Sequence, residues 1–163
     1  MSSANKNLSA FNPAEIPSAE TYRFGILVSV WNPEVTSALF QGAVETLIAC
    51  KAGRENIDVM SVPGSFELSG GAAIAAATMK FDAISCLGCI IQGETRHFEF
   101  IAHAVAHGIT DVATKFELPV IFGVLTTDTL QQALERAGGK HGNKGVEAAI
   151  TAIKMIDFKR RMS

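Results

Sequence analysis

Short, continuously apolar runs alternate along the chain with longer stretches whose apolar positions recur every three or four residues, so strands and helices take turns. Arg23 to Val30 is apolar and rich in β-branched residues and reads as a buried strand. Asn32-Pro33-Glu34 then opens a helix, with Asn as N-cap, proline at the first position and an acid in the first turn. Val35, Leu39, Ala43 and Leu47 space its apolar face. Asn56 to Val62 is a second strand, ended by Pro63-Gly64, and Phe66 to Met79 is a helix dense in Ala and Gly. Asp82 to Ile91 is a third strand, His97 to Phe116 a long helix, Pro119 to Leu125 a fourth strand and Asp128 to Ala137 a shorter helix. Gly138, Gly139 and Gly142 break that helix, and Asn143 or its neighbour caps a last helix running to about Arg161.

The resulting order is βαβαβαβαα. Strands this apolar, each followed by a helix, predict one parallel sheet with helices on both faces and right-handed crossovers. In open sheets of this kind, ligands bind beyond the carboxyl ends of the strands. Those ends carry Trp31-Asn32, Pro63 through Glu67, Gly93 through His97, and Thr126-Thr127-Asp128, so the unusual residues collect on one rim.

Composition narrows the picture. The 163 residues fit one domain spanning 22–163 behind an arm of residues 1–21, which is polar apart from a few residues and is expected to be flexible or to dock on a neighbouring subunit. Apolar residues make up 48% and charged residues 18%, an excess that implies apolar surface hidden between subunits. The net charge is −2 and no basic stripe runs along the chain, which argues against nucleic-acid partners. No apolar run reaches transmembrane length, no signal-peptide pattern opens the chain, and the three cysteines make no secreted framework; a cytoplasmic location is expected.

Gly93-Glu94-Thr95-Arg96-His97 joins a strand to a helix. Amides at a helix N-terminus favour an anion, and His97 beside it has the right chemistry to move a proton near neutrality. Trp31 is the only tryptophan and is placed to stack on a flat heterocycle. Ser65 can cap the next helix, and Glu67 can accept hydrogen bonds from a polyol. Arg136, with Lys140 and Lys144 nearby, can complete a phosphate site. Taken singly, each also fits a structural role: a histidine capping a turn, a core or interface tryptophan, ordinary helix capping, locally paired charge. Cys86 and Cys89 are three apart in a strand and so point to opposite faces, which excludes a redox or zinc pair. His103 and His107 share a helix face but have no third ligand in sequence, so no metal is expected.

Together, these segments resemble lumazine synthases over about Arg23 to Met155. The matching pieces are Asn32, Val62 through Glu67, Gly93 through Phe98, Phe122 through Asp128, Ala133 through Gly138, and Gly142 through Gly145. The resemblance implies a three-layer flavodoxin-like α/β sandwich with a four-stranded parallel sheet, with the arm either free or pairing with a neighbouring subunit. It implies that two small-molecule substrates, a ribitylaminouracil and a butanone phosphate, condense without a redox change and hence without a cofactor. It assigns proton transfer to His97 and phosphate binding to Glu94, Thr95 and Arg136. It assigns the ribitylaminouracil to Trp31, Asn32, Ser65, Phe66, Glu67, Cys89, Ile90, Ile91, Phe122 and Lys144, with Glu147 close by. Phe122 and Arg136 are expected from the adjacent subunit of a homopentamer. The uninterrupted glycine turn at 138–145 points to twelve pentamers in an icosahedral shell. Trp31, where the family usually has Phe, also keeps open a non-catalytic lumazine- or flavin-binding or shell-forming homologue.

Overall fold

Four strands pair in parallel in the order β2-β1-β3-β4: β1 (Phe24–Ser29), β2 (Ile57–Val62), β3 (Ala83–Ile91) and β4 (Val120–Thr127). These come from a computed structural model that describes residue 7 and residues 9–163. Phe24 lies beside Ile57 on one flank and Ala83 on the other, and β3 pairs with β4 from Ile84–Val120 to Ile91–Thr127. The central strands β1 and β3 are buried on both faces, which is why they read as continuous apolar runs. The edge strand β2 leaves Asp58, Val59 and Ser61 exposed.

Helices α1 (Pro33–Ala49), α4 (Leu130–Glu135) and α5 (Lys144–Met162) cover one face of the sheet, and α2 (Leu68–Ala77) and α3 (His97–Phe116) cover the other. The period of two sorts β3 between them: Leu87 and Cys89 join Leu39 and Ile153 on the α1–α5 side, while Ile84, Cys86 and Ile90 join Leu68 and Ile109 on the α2–α3 side. The two cysteines therefore do point to opposite faces, as their spacing requires. Burial pushes the Cys86 thiol up to about 12.

The three-layer α/β sandwich is the expected one, and the differences are local. The glycine stretch, expected only to interrupt a helix, forms a hairpin of β5 (Ala137–Gly139) and β6 (Gly142–Asn143). Gly138 and Gly142 hold φ of 114° and 85°, which only glycine adopts readily. The helix before it is shorter than Asp128–Ala137, because Thr129 caps it by accepting from the Gln132 amide at 3.2 Å. The segment expected as helix from Phe66 begins instead with a 3-10 turn at Ser65–Glu67.

Asn143 caps α5 as expected: its Oδ1 accepts from the amides of Gly145 at 2.8 Å and Val146 at 3.4 Å. Its Nδ2 donates to the Ala38 carbonyl at 2.9 Å, which ties α5 to α1. The two helices cross so closely at Gly145 that a Cβ there would fall on the Leu39 carbonyl. Of the N-terminal arm, residues 1–6 and 8 lie outside the described residues. The remainder runs along its own domain: Ser9 accepts from the Asn143 amide at 3.0 Å, and the buried Ala19 donates to the Cys50 carbonyl at 2.8 Å. No helix among the described residues is long and apolar enough to cross a membrane.

Candidate functional site

The chain leaves β1 toward β2 on one flank and β3 toward β4 on the other, so the winding reverses between β1 and β3. A crevice opens beyond the carboxyl ends of strands at such a point. Here it is a cavity of about 610 Å³ lined by residues following β1, the 3-10 turn after β2, the end of β3 and the first turn of α3.

Asn32 makes the sharp exit from β1. Its backbone sits in the left-handed region at φ 58° and ψ 56°, which asparagine tolerates better than most residues. Its expected role as a side-chain N-cap is not realised. The backbone carbonyl of Asn32 receives the amides of Val35 and Thr36, each at 3.0 Å, and the freed side chain donates from Nδ2 to the Cys89 carbonyl at 3.2 Å. That bond spans the gap between the β1 exit and β3. Just before it, Trp31 is 69% exposed, so its ring is open to a ligand rather than spent on the core. A Cβ on Gly64 would meet Trp31 Cε3 at 3.1 Å, so the glycine lets the indole lie against the turn after β2.

The turn carries Ser65, Phe66 and Glu67. Ser65 does not cap it; its buried hydroxyl donates to the Cys89 carbonyl at 3.2 Å. Glu67 holds the turn instead, its Oε2 accepting from the Gly64 amide at 3.0 Å, which leaves its second carboxylate oxygen for a ligand hydroxyl. Phe66 is 53% exposed at the rim. Cys89, Ile90 and Ile91 form the wall between Asn32 and α3. Burial, with a smaller contribution from the negative Glu34, pushes the Cys89 thiol up to about 11, so it stays protonated and unreactive near neutrality.

On the far wall, Thr95 and the exposed His97 line the cavity at the start of α3. Thr95 Oγ1 accepts from the His97 amide at 3.4 Å. The first amides of this 20-residue helix and its dipole favour an anion beside the imidazole. Phe98 and Ile101 add an apolar strip that was not singled out as part of the site. Their spacing of three, which puts both on one face of the helix, was the available signal.

Ten expected site residues thus meet in one cavity: Trp31, Asn32, Ser65, Phe66, Glu67, Cys89, Ile90, Ile91, Thr95 and His97. Four do not join it within a single chain. Glu94 is exposed in the turn before α3, outside the lining. Phe122 and Lys144 line a larger hollow of about 760 Å³ along the free edge of β4, between the end of α3 and α5. That hollow is far richer in apolar groups than in reactive ones, and the catalytic candidates are all elsewhere. Arg136 ends α4, where Nη1 donates to the His141 carbonyl and Nη2 to Glu147 Oε1, both at 2.6 Å. Lys144 Nζ reaches the other oxygen of Glu147 at 3.1 Å. Glu147 therefore fixes both cations in one half-buried cluster outside the His97 cavity.

A family model described as 6,7-dimethyl-8-ribityllumazine synthase matches residues 21–160. A protein of that name from Cytophaga hutchinsonii is 58% identical over 156 residues, covering 96% of this chain and 98% of its own. Another from Flavobacterium johnsoniae is 48% identical, covering 100% of this chain and 86% of its own. A third, from Phocaeicola vulgatus, is 46% identical, covering 99% and 96%.

Proposed function

This chain belongs to the 6,7-dimethyl-8-ribityllumazine synthase family, and from that premise we propose how its cavity performs the family's reaction. The enzyme is a transferase of riboflavin biosynthesis. It condenses 5-amino-6-ribitylaminouracil with 3,4-dihydroxy-2-butanone 4-phosphate to give 6,7-dimethyl-8-ribityllumazine, phosphate and water, the penultimate step of the pathway. The relatives above carry the synthase name, not that of a binding or shell protein.

The observation that carries the site assignment is the pairing, within one cavity, of an exposed aromatic ring and polar turn with a histidine at a helix N-terminus. The pyrimidinedione stacks on Trp31 and meets the Cys89–Ile91 wall. The ribityl chain runs over Asn32 and the Ser65–Glu67 turn. The butanone phosphate sits on the amides around Glu94 and Thr95. The 5-amine forms an imine with the butanone carbonyl, losing water. A carbon-bound proton and then phosphate leave, and the ribitylamino nitrogen closes the ring with loss of a second water. His97 moves protons in these steps. Holding two reactants in register supplies most of the rate, since orientation alone is worth ~7–11 kcal/mol in favourable cases.

One domain over 22–163, behind the arm, carries this half of the site. Arg136, Phe122 and Lys144 come from the adjacent subunit of a homopentamer, Arg136 to the phosphate. Apolar side chains left in the open, among them Ile74 at 74%, Phe100 at 71% and Met162 at 72% exposure, support such burial. Twelve pentamers form an icosahedral shell, in keeping with the short β5–β6 hairpin. The compartment is the cytoplasm, in keeping with three buried, unpaired cysteines. Incubating the purified chain with both substrates tests the central claim: lumazine absorbance and phosphate should rise together, and neither rising refutes it.

A further inference from the structure

Ser29 closes β1 and is fully buried, yet its Oγ is the one buried side-chain oxygen or nitrogen among the described residues with no hydrogen-bond partner. A buried hydroxyl left unpaired is costly, and the low-cost alternative at this position is alanine. Its surroundings say what it faces. A Cβ built on Gly88 of β3 would meet Ser65 Oγ at 2.6 Å and Ser29 Oγ at 3.3 Å, so both hydroxyls border one small space on the α2–α3 side of the sheet, and Ser65 also lines the cavity. Ser65 Oγ spends its hydrogen on the Cys89 carbonyl at 3.2 Å, and Asn32 Nδ2 reaches the same carbonyl at 3.2 Å. A carbonyl oxygen has two lone pairs, and both are now occupied. A ligand N–H that approaches the Cys89 carbonyl must displace one of these donors, and the displaced hydroxyl needs a new acceptor or it too is left unpaired.

We infer that Ser29 is a positioning residue for the ribitylaminouracil half of the site: it accepts the Ser65 hydroxyl when the heterocycle takes over the Cys89 carbonyl. The inference rests on the function proposed above. The rearrangement asks for little, a rotation of the Ser65 side chain about χ1 from one acceptor to another, both already in its neighbourhood. Gly88 is what makes it possible, since a side chain there would fill the space across which the hydroxyl turns. The exchange leaves every donor paired on binding, the ligand's N–H included. Without Ser29, the ligand's new bond to the carbonyl leaves Ser65 stranded.

The test compares Ser29→Ala, Ser65→Ala and the double variant with the parent chain. It uses steady-state kinetics, and titration with 6,7-dimethyl-8-ribityllumazine followed by fluorescence of Trp31, the single tryptophan, which lines the cavity. Ser29→Ala should raise KM for the ribitylaminouracil and weaken lumazine binding by about fivefold, the scale of one neutral hydrogen bond, with kcat nearly kept. Its urea midpoint should be unchanged or higher, because a buried unpaired hydroxyl has been removed; a merely structural serine would show the reverse pattern. In the Ser65→Ala background, adding Ser29→Ala should change neither KM nor binding, since the stranded hydroxyl is gone. Ser29→Ala indistinguishable from an active parent, or an equal penalty with and without Ser65, overturns the inference alone. A parent that neither makes nor binds the lumazine overturns the functional reading and this inference with it.

Discussion

His97 stands in the first turn of α3 with its ring exposed to the cavity and beside the phosphate position proposed above. General acid–base groups contribute about 10²- to 10⁴-fold, and orientation carries much of this reaction, so His97→Ala should slow turnover toward the lower end of that range without abolishing it. Complete loss of turnover with lumazine binding and assembly intact would sink that assignment. The buried thiols make a second prediction at this scale. Cys86 titrates near 9.0 when unfolded and at about 12 when folded, so the fold holds a proton that the unfolded chain releases. Such a group stabilises the protein fully below the lower value and loses its contribution as pH rises through the interval. Denaturation from about pH 8 to about pH 10.5 should cost the parent about 2 kcal/mol more than Cys86→Ala. Equal pH slopes for the two chains would contradict it.

At the scale of elements, the α1–α5 crossing is a joint with no room for a larger side chain. Gly145 presses on the Leu39 carbonyl, and Asn143 caps α5 while bonding to Ala38. Losing an N-cap costs about 1 kcal/mol, and Asn143→Ala also removes the bond to the Ala38 carbonyl that joins the two helices, worth about another 1 kcal/mol, so a loss of about 2 kcal/mol is expected in urea denaturation. Gly145→Ala should be worse, yielding little folded protein by circular dichroism, because the helix cannot move off the backbone it touches without leaving the core. The caps show where sequence rules held and where they slipped. Asn143 caps as its type and place suggest, whereas Asn32, the same residue before an equally plain helix start, turns its side chain to Cys89 instead. Local pattern cannot tell the two apart, because the competing acceptor lies 57 residues away in sequence.

At the scale of the molecule, the two groups of residues proposed as half-sites lie apart in a single chain. One is the His97 cavity, and the other is the Arg136–Glu147–Lys144 cluster near the β4 hollow. If neighbouring subunits join them, a co-refolded mixture of His97→Ala and Arg136→Ala should exceed the activity of either variant refolded alone, because some interfaces then pair an intact His97 with an intact Arg136. A mixture no better than the mean of its parts would place both residues in one chain's site. Sedimentation decides the assembly itself: a shell of twelve pentamers is expected, and a particle of pentamer mass would refute the shell.

The order of strands and helices, the parallel sheet and the rim on which chemistry collects were all legible in the sequence. Apolar periodicity and the handedness of crossovers fix them from short-range information. So was much of the cavity's rim, because residues at strand ends are delivered to one side of the sheet by topology; the Cys89–Ile91 wall followed from the resemblance, and Phe98 and Ile101 were missed. The hydrogen bonds there were not legible. That Glu67 rather than Ser65 holds its turn, that the Cys89 carbonyl serves two donors, and that Ser29 is left without a partner depend on contacts between segments far apart in the chain. Rotamers and lone pairs are allotted only once β1, the turn after β2 and β3 are packed together, so those features belong to the tertiary structure.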